Sequence, residues 1–173
     1  MGKFLGLVIV LSAVLAGGAL YYLQVYHFYA PVEPRGAGDV MLTVAEGAPE
    51  PIEHSAFEAI DATSSPIRYR ACFTTSVPVE TLVARYAAYP RAEPRNAPGW
   101  FDCFDASAIA EALKNGSARA YLGEEHRVYG IDRVVAITED GQGFVWHQIN
   151  PCGHAAFDGN PVPAGCPPPP GEG

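Results

Sequence analysis

The chain has 173 residues, of which 49% are hydrophobic, and its formal net charge is −8. A hydrophobic fraction of this size allows one modest folded core, and the acidic balance disfavours nucleic-acid binding, which needs a basic surface. We therefore expect one folded domain with no nucleic-acid partner, and we attribute the negative charge to solubility.

The N-terminal segment is the most informative part of the sequence. Residues 4–23 form an uncharged apolar run that only Ser12 interrupts. At about 1.5 Å per residue, a helix of this length crosses the roughly 30 Å hydrocarbon core of a bilayer. Rings typical of a membrane interface follow at Tyr21, Tyr22, Tyr26, His27, Phe28 and Tyr29. The sequence thus predicts a transmembrane anchor with an aromatic belt over residues 1–29.

A cleaved signal peptide is the alternative interpretation of the same segment. Lys3 would supply its positively charged start. Small residues near a cleavage point follow at Ala16, Gly17, Gly18 and Ala19. Lys3 is also the only positively charged side chain before the apolar run, and the first charged residue after it is Glu33. The positive-inside rule then predicts that the part of the chain after the anchor lies outside the cytoplasm.

Prolines, glycines and charges in residues 30–39 favour a short linker, and one domain is expected over residues 40–160. Alternation of apolar and polar residues indicates strands, and apolar residues at helical spacing indicate helices. The first predicted elements are a strand at 40–45, a short helix at 52–60, a strand at 67–74 and a helix capped by Ser76 with apolar residues at Val79, Leu82, Val83 and Tyr86.

The second half of the domain carries clearer start and stop signals. Asp105 is a suitable N-cap for a helix that Asn115 and Gly116 would end. Strands are predicted at 118–122, 131–138 and 144–149, the last two joined as a hairpin, and a Pro-rich tail is expected over residues 161–173. These elements predict an α+β fold: a transmembrane helix followed by one small domain with a mainly antiparallel sheet and two or three short helices.

Four cysteines lie beyond the anchor, at Cys72, Cys103, Cys152 and Cys166. In an oxidising compartment this even number predicts two disulfides, for which three pairings are possible. Pairing Cys72 with Cys103 and Cys152 with Cys166 closes the shorter loops and is favoured. The bridges would be structural, because no Cys-x-x-Cys motif is present.

Five side chains are candidates for a ligand-binding or partner-binding surface: Arg68, Arg70, Trp100, Trp146 and His147. Arg68 and Arg70 share one face of the predicted strand, where their guanidinium groups would suit a carboxylate or phosphate. Internal partners for both are the simpler explanation. His147 is a candidate general base or ligand beside Trp146, against the simpler role of a strand histidine with one structural hydrogen bond.

Other polar residues give weaker signals. Asp132 and Arg133, next to a buried strand, are interpreted as members of structural ion pairs. Cys152, His154 and Cys166 have a spacing that is unusual for a zinc site. The sequence contains no nucleophile elbow, phosphate-binding loop, dinucleotide fingerprint, zinc-protease motif or calcium loop. We therefore assign no catalytic residue, no metal site and no cofactor.

Four segments carry a resemblance to a known family: residues 65–73, 98–105, 129–137 and 143–150. With them the chain resembles an uncharacterised family of bacterial single-pass membrane proteins, and the resemblance spans nearly the whole chain, including the anchor. Together with the predicted orientation, it implies an inner-membrane protein whose C-terminal domain lies in the periplasm. The resemblance implies no activity.

Three functions from different classes fit these observations. The leading hypothesis is a non-catalytic interaction or accessory module, which the anchor holds at high effective concentration near an envelope or membrane protein partner. The second is a small-ligand-binding domain that uses Arg68, Arg70, Trp146 and His147. The third is an unrecognised enzyme centred on His147 and a nearby acid.

Overall fold

The computed structural model describes residues 2–170 and begins with helix α1, Gly2–Tyr22, which continues as a π-helical turn over Leu23–His27. No residue of α1 is buried. The combined helix Gly2–His27 is long and apolar enough to cross a membrane, and a signal sequence would meet the same criteria. The expected N-terminal apolar helix is therefore present, as a possible membrane anchor.

Two antiparallel sheets follow the helix. Within the described residues the strands are β1 (Ala30–Pro31), β2 (Met41–Thr43), β3 (Pro49–Pro51), β4 (Ser55–Asp61), β5 (Arg70–Thr74), β6 (Ala118–Val128), β7 (Ile131–Thr138) and β8 (Gln142–Ile149). Six of them form one sheet in the order β1-β4-β5-β8-β7-β6, and β2 pairs with β3 in a separate sheet. Seven of the eight residues of β7 are buried, which explains its continuous apolar run.

Three short helices accompany the sheets: α2 (Val79–Arg85), α3 (Ala106–Asn115) and α4 (Pro151–Phe157). The Asp105 side chain caps α3 as predicted, accepting hydrogen bonds from the backbone N–H groups of Ser107 and Ala108 at 2.9 and 3.1 Å. Gly116 ends α3 with a φ of 84°, a conformation that glycine adopts without strain. The α+β prediction, with an antiparallel sheet and a few short helices, is confirmed.

The six-stranded sheet is covered on both faces. On one face, which we call the His147 face, Phe73 and Val145 pack with Leu42 of β2 and Leu82 of α2. On the opposite face, the Trp146 face, the indole of Trp146 packs with Phe104 and with Ile109 of α3. Because successive side chains of a strand point to opposite faces, neighbouring residues of β8 belong to different cores.

Two predictions about local structure are wrong. Residues 52–60 were expected to include a helix, but Ser55–Asp61 is strand β4, which pairs with β5 and contains an irregular register between Ser55 and Glu58. Ser76 was expected to cap α2, but the helix begins at Val79, with Pro78 in the N-cap position and no side-chain cap. Pairing with β5 decides the first case and the fixed φ of proline the second.

Other elements differ in extent from the prediction. The strand predicted at 67–74 begins only at Arg70, so Arg68 lies in the preceding turn region. β6 extends to Val128 through two irregularities in its pairing with β7. Helix α4 was not predicted. It begins after Asn150, whose side chain accepts a hydrogen bond from the Gly153 N–H at 2.9 Å.

Residues 30–39, which the sequence assigned to a linker, contact the domain. β1 pairs with β4 at one edge of the large sheet. Asp39 is buried, and its carboxylate accepts hydrogen bonds from the backbone N–H groups of Arg35 and Gly36 at 2.7 and 2.8 Å. The chain therefore passes from the helix into the sheet with only Phe28 and Tyr29 between them.

Both cysteine pairs are bonded. Cys72 joins Cys103 across Cα atoms 6.2 Å apart, and Cys152 joins Cys166 across Cα atoms 5.7 Å apart. These are the pairs favoured by the shorter loops. The first bridge fixes the segment before α3 to the Trp146 face, and the second ties the Pro-rich tail to α4.

Candidate functional site

Arg68 and Trp100 both bind the end of the N-terminal helix. Arg68 donates to the backbone oxygen and to Oε1 of Gln24, at 3.2 and 2.7 Å, and Trp100 donates its indole N–H to the backbone oxygen of Val25 at 2.7 Å. The last carbonyl groups of a helix lack partners within the helix, so these side chains supply the missing donors. A guanidinium group is also favoured at the negative end of the helix dipole.

The aromatic ring of Tyr29 lies in the same contact. The Arg68 guanidinium is 5.5 Å from its ring centroid, and the Trp100 ring meets it edge-on at 6.1 Å. We call this group the helix-end contact; it comprises Gln24, Val25, Tyr29, Arg68 and Trp100. It fixes the domain to the end of the helix at positions far apart in the sequence.

Arg70 and Trp146 lie opposite each other on β5 and β8, on the Trp146 face, and both are buried. The Arg70 guanidinium is 5.7 Å from the centroid of the Phe104 ring. Burial lowers the pKa of Arg70 to about 10. The group donates four hydrogen bonds of 2.6 to 3.1 Å to backbone oxygens, those of Ile67, Tyr69, Arg95 and Asn96. Arg70 is therefore occupied by internal partners.

His147 lies on the other face and is 6% exposed. Its ring stacks on that of Tyr69 with the centroids 4.9 Å apart. Nδ1 is 2.7 Å from the backbone oxygen of Pro66 and so carries the proton, while Nε2, at 3.2 Å from Arg133 Nε, accepts. Burial, and next the Arg133 guanidinium, lower the pKa of His147 to about 4. The imidazole is thus neutral at pH 7, with both nitrogens engaged.

The five candidate residues consequently do not line one pocket. Arg68 and Trp100 meet at the helix-end contact, Arg70 and Trp146 lie in the core of the Trp146 face, and His147 lies on the His147 face. Trp146 and His147 are adjacent in the sequence, but the alternation of β8 separates them by the thickness of the sheet.

A cleft of about 900 Å³ opens on the His147 face. His147, Tyr69 and Arg133 form its floor, and residues of β2, β3, β6 and the segment after β1 form its walls. We call it the Arg133 cleft. Its charged lining residues are Arg35, Asp39, Asp61, Glu124, Arg127 and Arg133.

Arg133 is the central cation of this cleft and is 8% exposed. Its guanidinium carbon is 4.6 Å from the centroid of the Tyr69 ring, and its Nε donates to His147. Among residues 2–170, its Nη1 and Nη2 have no hydrogen-bond partner, and no carboxylate oxygen lies within the 4.0 Å of an ion pair. The interpretation of Arg133 as a member of a structural ion pair is therefore wrong.

Asp132 points to the opposite side of β7 and has other partners. It accepts hydrogen bonds from the hydroxyl of Tyr89 at 3.0 Å, from the side-chain amide of Asn150 at 2.7 Å and from the backbone N–H of His126 at 3.0 Å. These donors are neutral, so Asp132 forms no ion pair within the described residues either.

Comparison with protein families gives one match. Residues 40–167 match the profile of DUF6446, a family of unknown function. The chain belongs to this family. Comparisons with curated proteins and with solved structures give no match.

The DUF6446 match covers most of the candidate site. Tyr69, Arg133 and His147, which form the floor of the Arg133 cleft, lie within it, and so do both disulfides. The N-terminal helix, and with it the helix half of the helix-end contact, precedes the matched residues.

The described part of this DUF6446 chain offers no set of side chains for a metal ion. Within residues 2–170, no three His, Cys, Asp or Glu side chains are grouped so that they could hold a metal ion. Cys152 and Cys166, considered above beside His154, are bonded to each other and have no thiolate to offer.

Sequence reasoning found His147 but missed the importance of Tyr69 and Arg133. One signal was available: the hairpin of β7 and β8 places Arg133 directly opposite His147. A cation opposite a histidine on a buried face is unusual enough to mark a site. The contribution of Tyr69 and of the cleft walls required the strand order of the sheet, which the sequence does not contain.

Proposed function

We propose that this chain is a membrane-anchored accessory module of a bacterial inner membrane. Its domain lies on the periplasmic side, where it binds an envelope or membrane protein partner. The helix-end contact is the observation that carries the proposal. A domain on a free tether would need no specific contact with its anchor, whereas here Arg68 and Trp100 bind the carbonyl groups of Gln24 and Val25.

The helix-end contact has a consequence for partner binding. A domain fixed to its anchor presents the same surfaces at a constant height above the membrane. This orientation lowers the entropy lost when the domain binds a second membrane protein, and the anchor raises the effective concentration of both. The ring of Tyr26 lies 6.3 Å from that of Tyr21 and 5.9 Å from that of Tyr22, and this group of interfacial rings supports a membrane boundary next to the helix-end contact.

The geometry of His147 favours this proposal over an enzyme centred on that residue. A general base needs a free nitrogen in the neutral form and a pKa near the working pH. Nε2 of His147 already accepts a hydrogen bond from Arg133, Nδ1–H is engaged by Pro66, and the pKa is lowered to about 4. His147 therefore serves to position the Arg133 side chain.

Crosslinking in native membranes tests the proposal. The full chain would be compared with a truncated chain ending at residue 39 and with an Arg68→Gln, Trp100→Phe variant that loses donors of the helix-end contact. Arg119→Gln, at an exposed arginine whose side chain has no hydrogen bond to a described residue, is the matched control. We expect one reproducible partner with the full chain and the control, less of it with the double variant, and none with the truncated chain.

Two outcomes would overturn the proposal. Capture of the same proteins by the truncated chain would assign the binding to the helix, and efficient crosslinking without any partner would remove the interaction role. A thiol reagent applied to intact cells tests the compartment separately. We expect the four cysteines to react only after reduction, because an oxidising periplasm preserves both disulfides. Labelling without reductant would place the domain in the cytoplasm.

A further inference from the structure

Arg133 combines burial with an unused hydrogen-bonding edge. The residue is only 8% exposed, yet Nη1 and Nη2 have no partner within residues 2–170. In the described part of the chain, the fully buried side-chain atoms without partners are Arg95 Nε and Tyr121 OH. The terminal nitrogens of Arg133 are not among them, so they retain solvent access, and the residue lines the cleft. A buried cation whose fork opens into a cleft has the geometry of an anion receptor.

The guanidinium is held in place before any ligand arrives. Tyr69 lies under it with the ring centroid 4.6 Å from Cζ, and His147 Nε2 accepts from its Nε at 3.2 Å. His147 is in turn fixed by the Pro66 oxygen at 2.7 Å and by stacking on Tyr69. The two contacts leave the Nη1–Nη2 edge free, which is the edge that binds a carboxylate in a bidentate manner.

The carboxylates of the cleft already have hydrogen-bond partners. Glu124 forms an ion pair with Arg127 at 3.2 Å, and Asp39 accepts hydrogen bonds from the Arg35 and Gly36 N–H groups. Asp61 accepts one from the Ala62 N–H at 2.8 Å. Among the described residues, the guanidinium groups of Arg133 and Arg35 both lack a carboxylate partner, and of the two only Arg133 is fixed by an aromatic ring and a histidine. The lining carries three carboxylates against three arginines, so it has no excess of positive charge for a dianion, and a monoanion suits the cleft better than a phosphate.

The remaining walls are apolar. Val32, Met41 and Val128 line the cleft together with Pro49 and Pro66. A volume of about 900 Å³ lies in the range of small-molecule sites. An organic acid would place its carboxylate on Arg133 and its carbon chain against these side chains.

We propose that the Arg133 cleft is a binding site for a small organic monocarboxylate, whose two oxygens accept hydrogen bonds from Nη1 and Nη2 of Arg133. This inference goes beyond the accessory role proposed above and does not depend on it, because the site lies within the domain and involves neither the membrane nor a protein partner.

Calorimetric titration of the full chain in detergent tests the site with butyrate, with its neutral isostere butyramide and with inorganic phosphate. We expect butyrate to bind and to raise the thermal unfolding temperature, and we expect no response to butyramide. Phosphate should bind at least about tenfold more weakly, because it adds negative charge beside Asp61. Equal binding of butyramide would overturn the role of the charge, and tighter binding of phosphate would overturn the assignment to a carboxylate.

Variants then locate the site. Arg133→Gln should weaken butyrate binding by about tenfold or more, since hydrogen bonds between charged partners are lost. Arg133→Lys keeps the charge but lacks the forked guanidinium, so it is the more conservative substitution should Arg133→Gln fail to fold. It should also bind butyrate more weakly. Near-UV circular dichroism establishes that each variant is folded. Arg119→Gln should bind as the unaltered chain does. Unchanged affinity in folded Arg133→Lys and Arg133→Gln would overturn the proposal.

Discussion

Arg70 and Arg133 are both buried in the large sheet, both lie over an aromatic ring, and neither has a carboxylate partner among the described residues. Their hydrogen bonds differ. Arg70, on the Trp146 face, donates four to backbone oxygens, and Arg133, on the His147 face, donates one, to His147. In Arg70 all three guanidinium nitrogens donate hydrogen bonds, whereas in Arg133 the two terminal nitrogens have no partner among the described residues.

The comparison shows that burial of a charge does not by itself distinguish a structural residue from a binding residue. The two faces differ in the chain segments that pack over the buried arginine. On the Trp146 face, the disulfide of Cys103 and helix α3 hold a segment over Arg70, and backbone oxygens of this segment accept hydrogen bonds from the guanidinium. On the His147 face, the cleft leaves Nη1 and Nη2 of Arg133 without a partner among the described residues. The following predictions test this contrast between a closed and an open face.

The largest expected effect on stability comes from removing the Cys72–Cys103 disulfide, which holds a segment over the Trp146 face. Replacing Cys72 and Cys103 by alanine opens a loop with a sequence separation of 31, against 14 for Cys152 and Cys166. The chain-entropy model gives losses in the free energy of unfolding of about 3.7 and about 3.0 kcal/mol. Urea unfolding of both double variants shows which of the two losses in unfolding free energy is larger. A larger loss of unfolding free energy on removal of the Cys152–Cys166 bridge would contradict the expectation that the Cys72–Cys103 bridge contributes more to stability.

The two arginines themselves provide the next test. Arg70→Met should lower the free energy of unfolding by about 3 kcal/mol, because four backbone oxygens lose their donor. Arg133→Met keeps a similar side-chain volume and should cost about 1 kcal/mol, because it removes one hydrogen bond. The measurement is urea unfolding of the full chain in detergent. Equal losses would show that both residues are structural.

The pH dependence of stability reports on the open face. The pKa of His147 is lowered from 6.5 to about 4, so between these values the unfolded chain binds more protons than the folded one. Stability should therefore fall as the pH drops through this range, by at most about 3 kcal/mol from this residue. His147→Gln keeps one donor and one acceptor and should flatten the profile. An unchanged profile in this variant would assign the dependence to other groups.

The smallest effect concerns the helix that covers the Trp146 face. Asp105→Ala removes the cap of α3 and should cost about 1 kcal/mol, whereas Asp102→Ala, at an exposed residue with no hydrogen bond to another described residue, should cost little. Thermal unfolding compares the two. Neither change should alter butyrate binding, because the cleft lies on the other face. Weaker binding in Asp105→Ala would mean that the two faces are coupled.

Much of the fold was predictable where local signals are strong. The apolar helix, the Asp105 cap, the Gly116 stop and strand β7 each follow from residues within a few positions of one another. Strand β4 and helix α4 were not predictable in this way. The sequence of β4 is compatible with a helix until it pairs with β5, and α4 lies in a Pro-rich region that favours extended structure.

The candidate site was predictable only in fragments. The sequence identified His147 and suspected internal partners for Arg70, which the structure provides. It also grouped Trp146 with His147, since adjacent residues are the natural neighbours in a sequence. The strand alternation places them on different faces, and Arg68 and Trp100 instead meet the helix end, 44 and 75 residues away from their hydrogen-bond partners.

The sequence by itself determined the possible membrane anchor, the α+β class and the even set of cysteines, because length, hydropathy and residue spacing are local properties of the chain. Only the tertiary structure decided which arginine donates its hydrogen bonds to the protein and which keeps terminal nitrogens without a partner in the described part of the chain. That distinction depends on where the backbone oxygens of distant loops come to lie. Hydrogen bonds are short and directional, so a displacement of about 1 Å is enough to make or lose one.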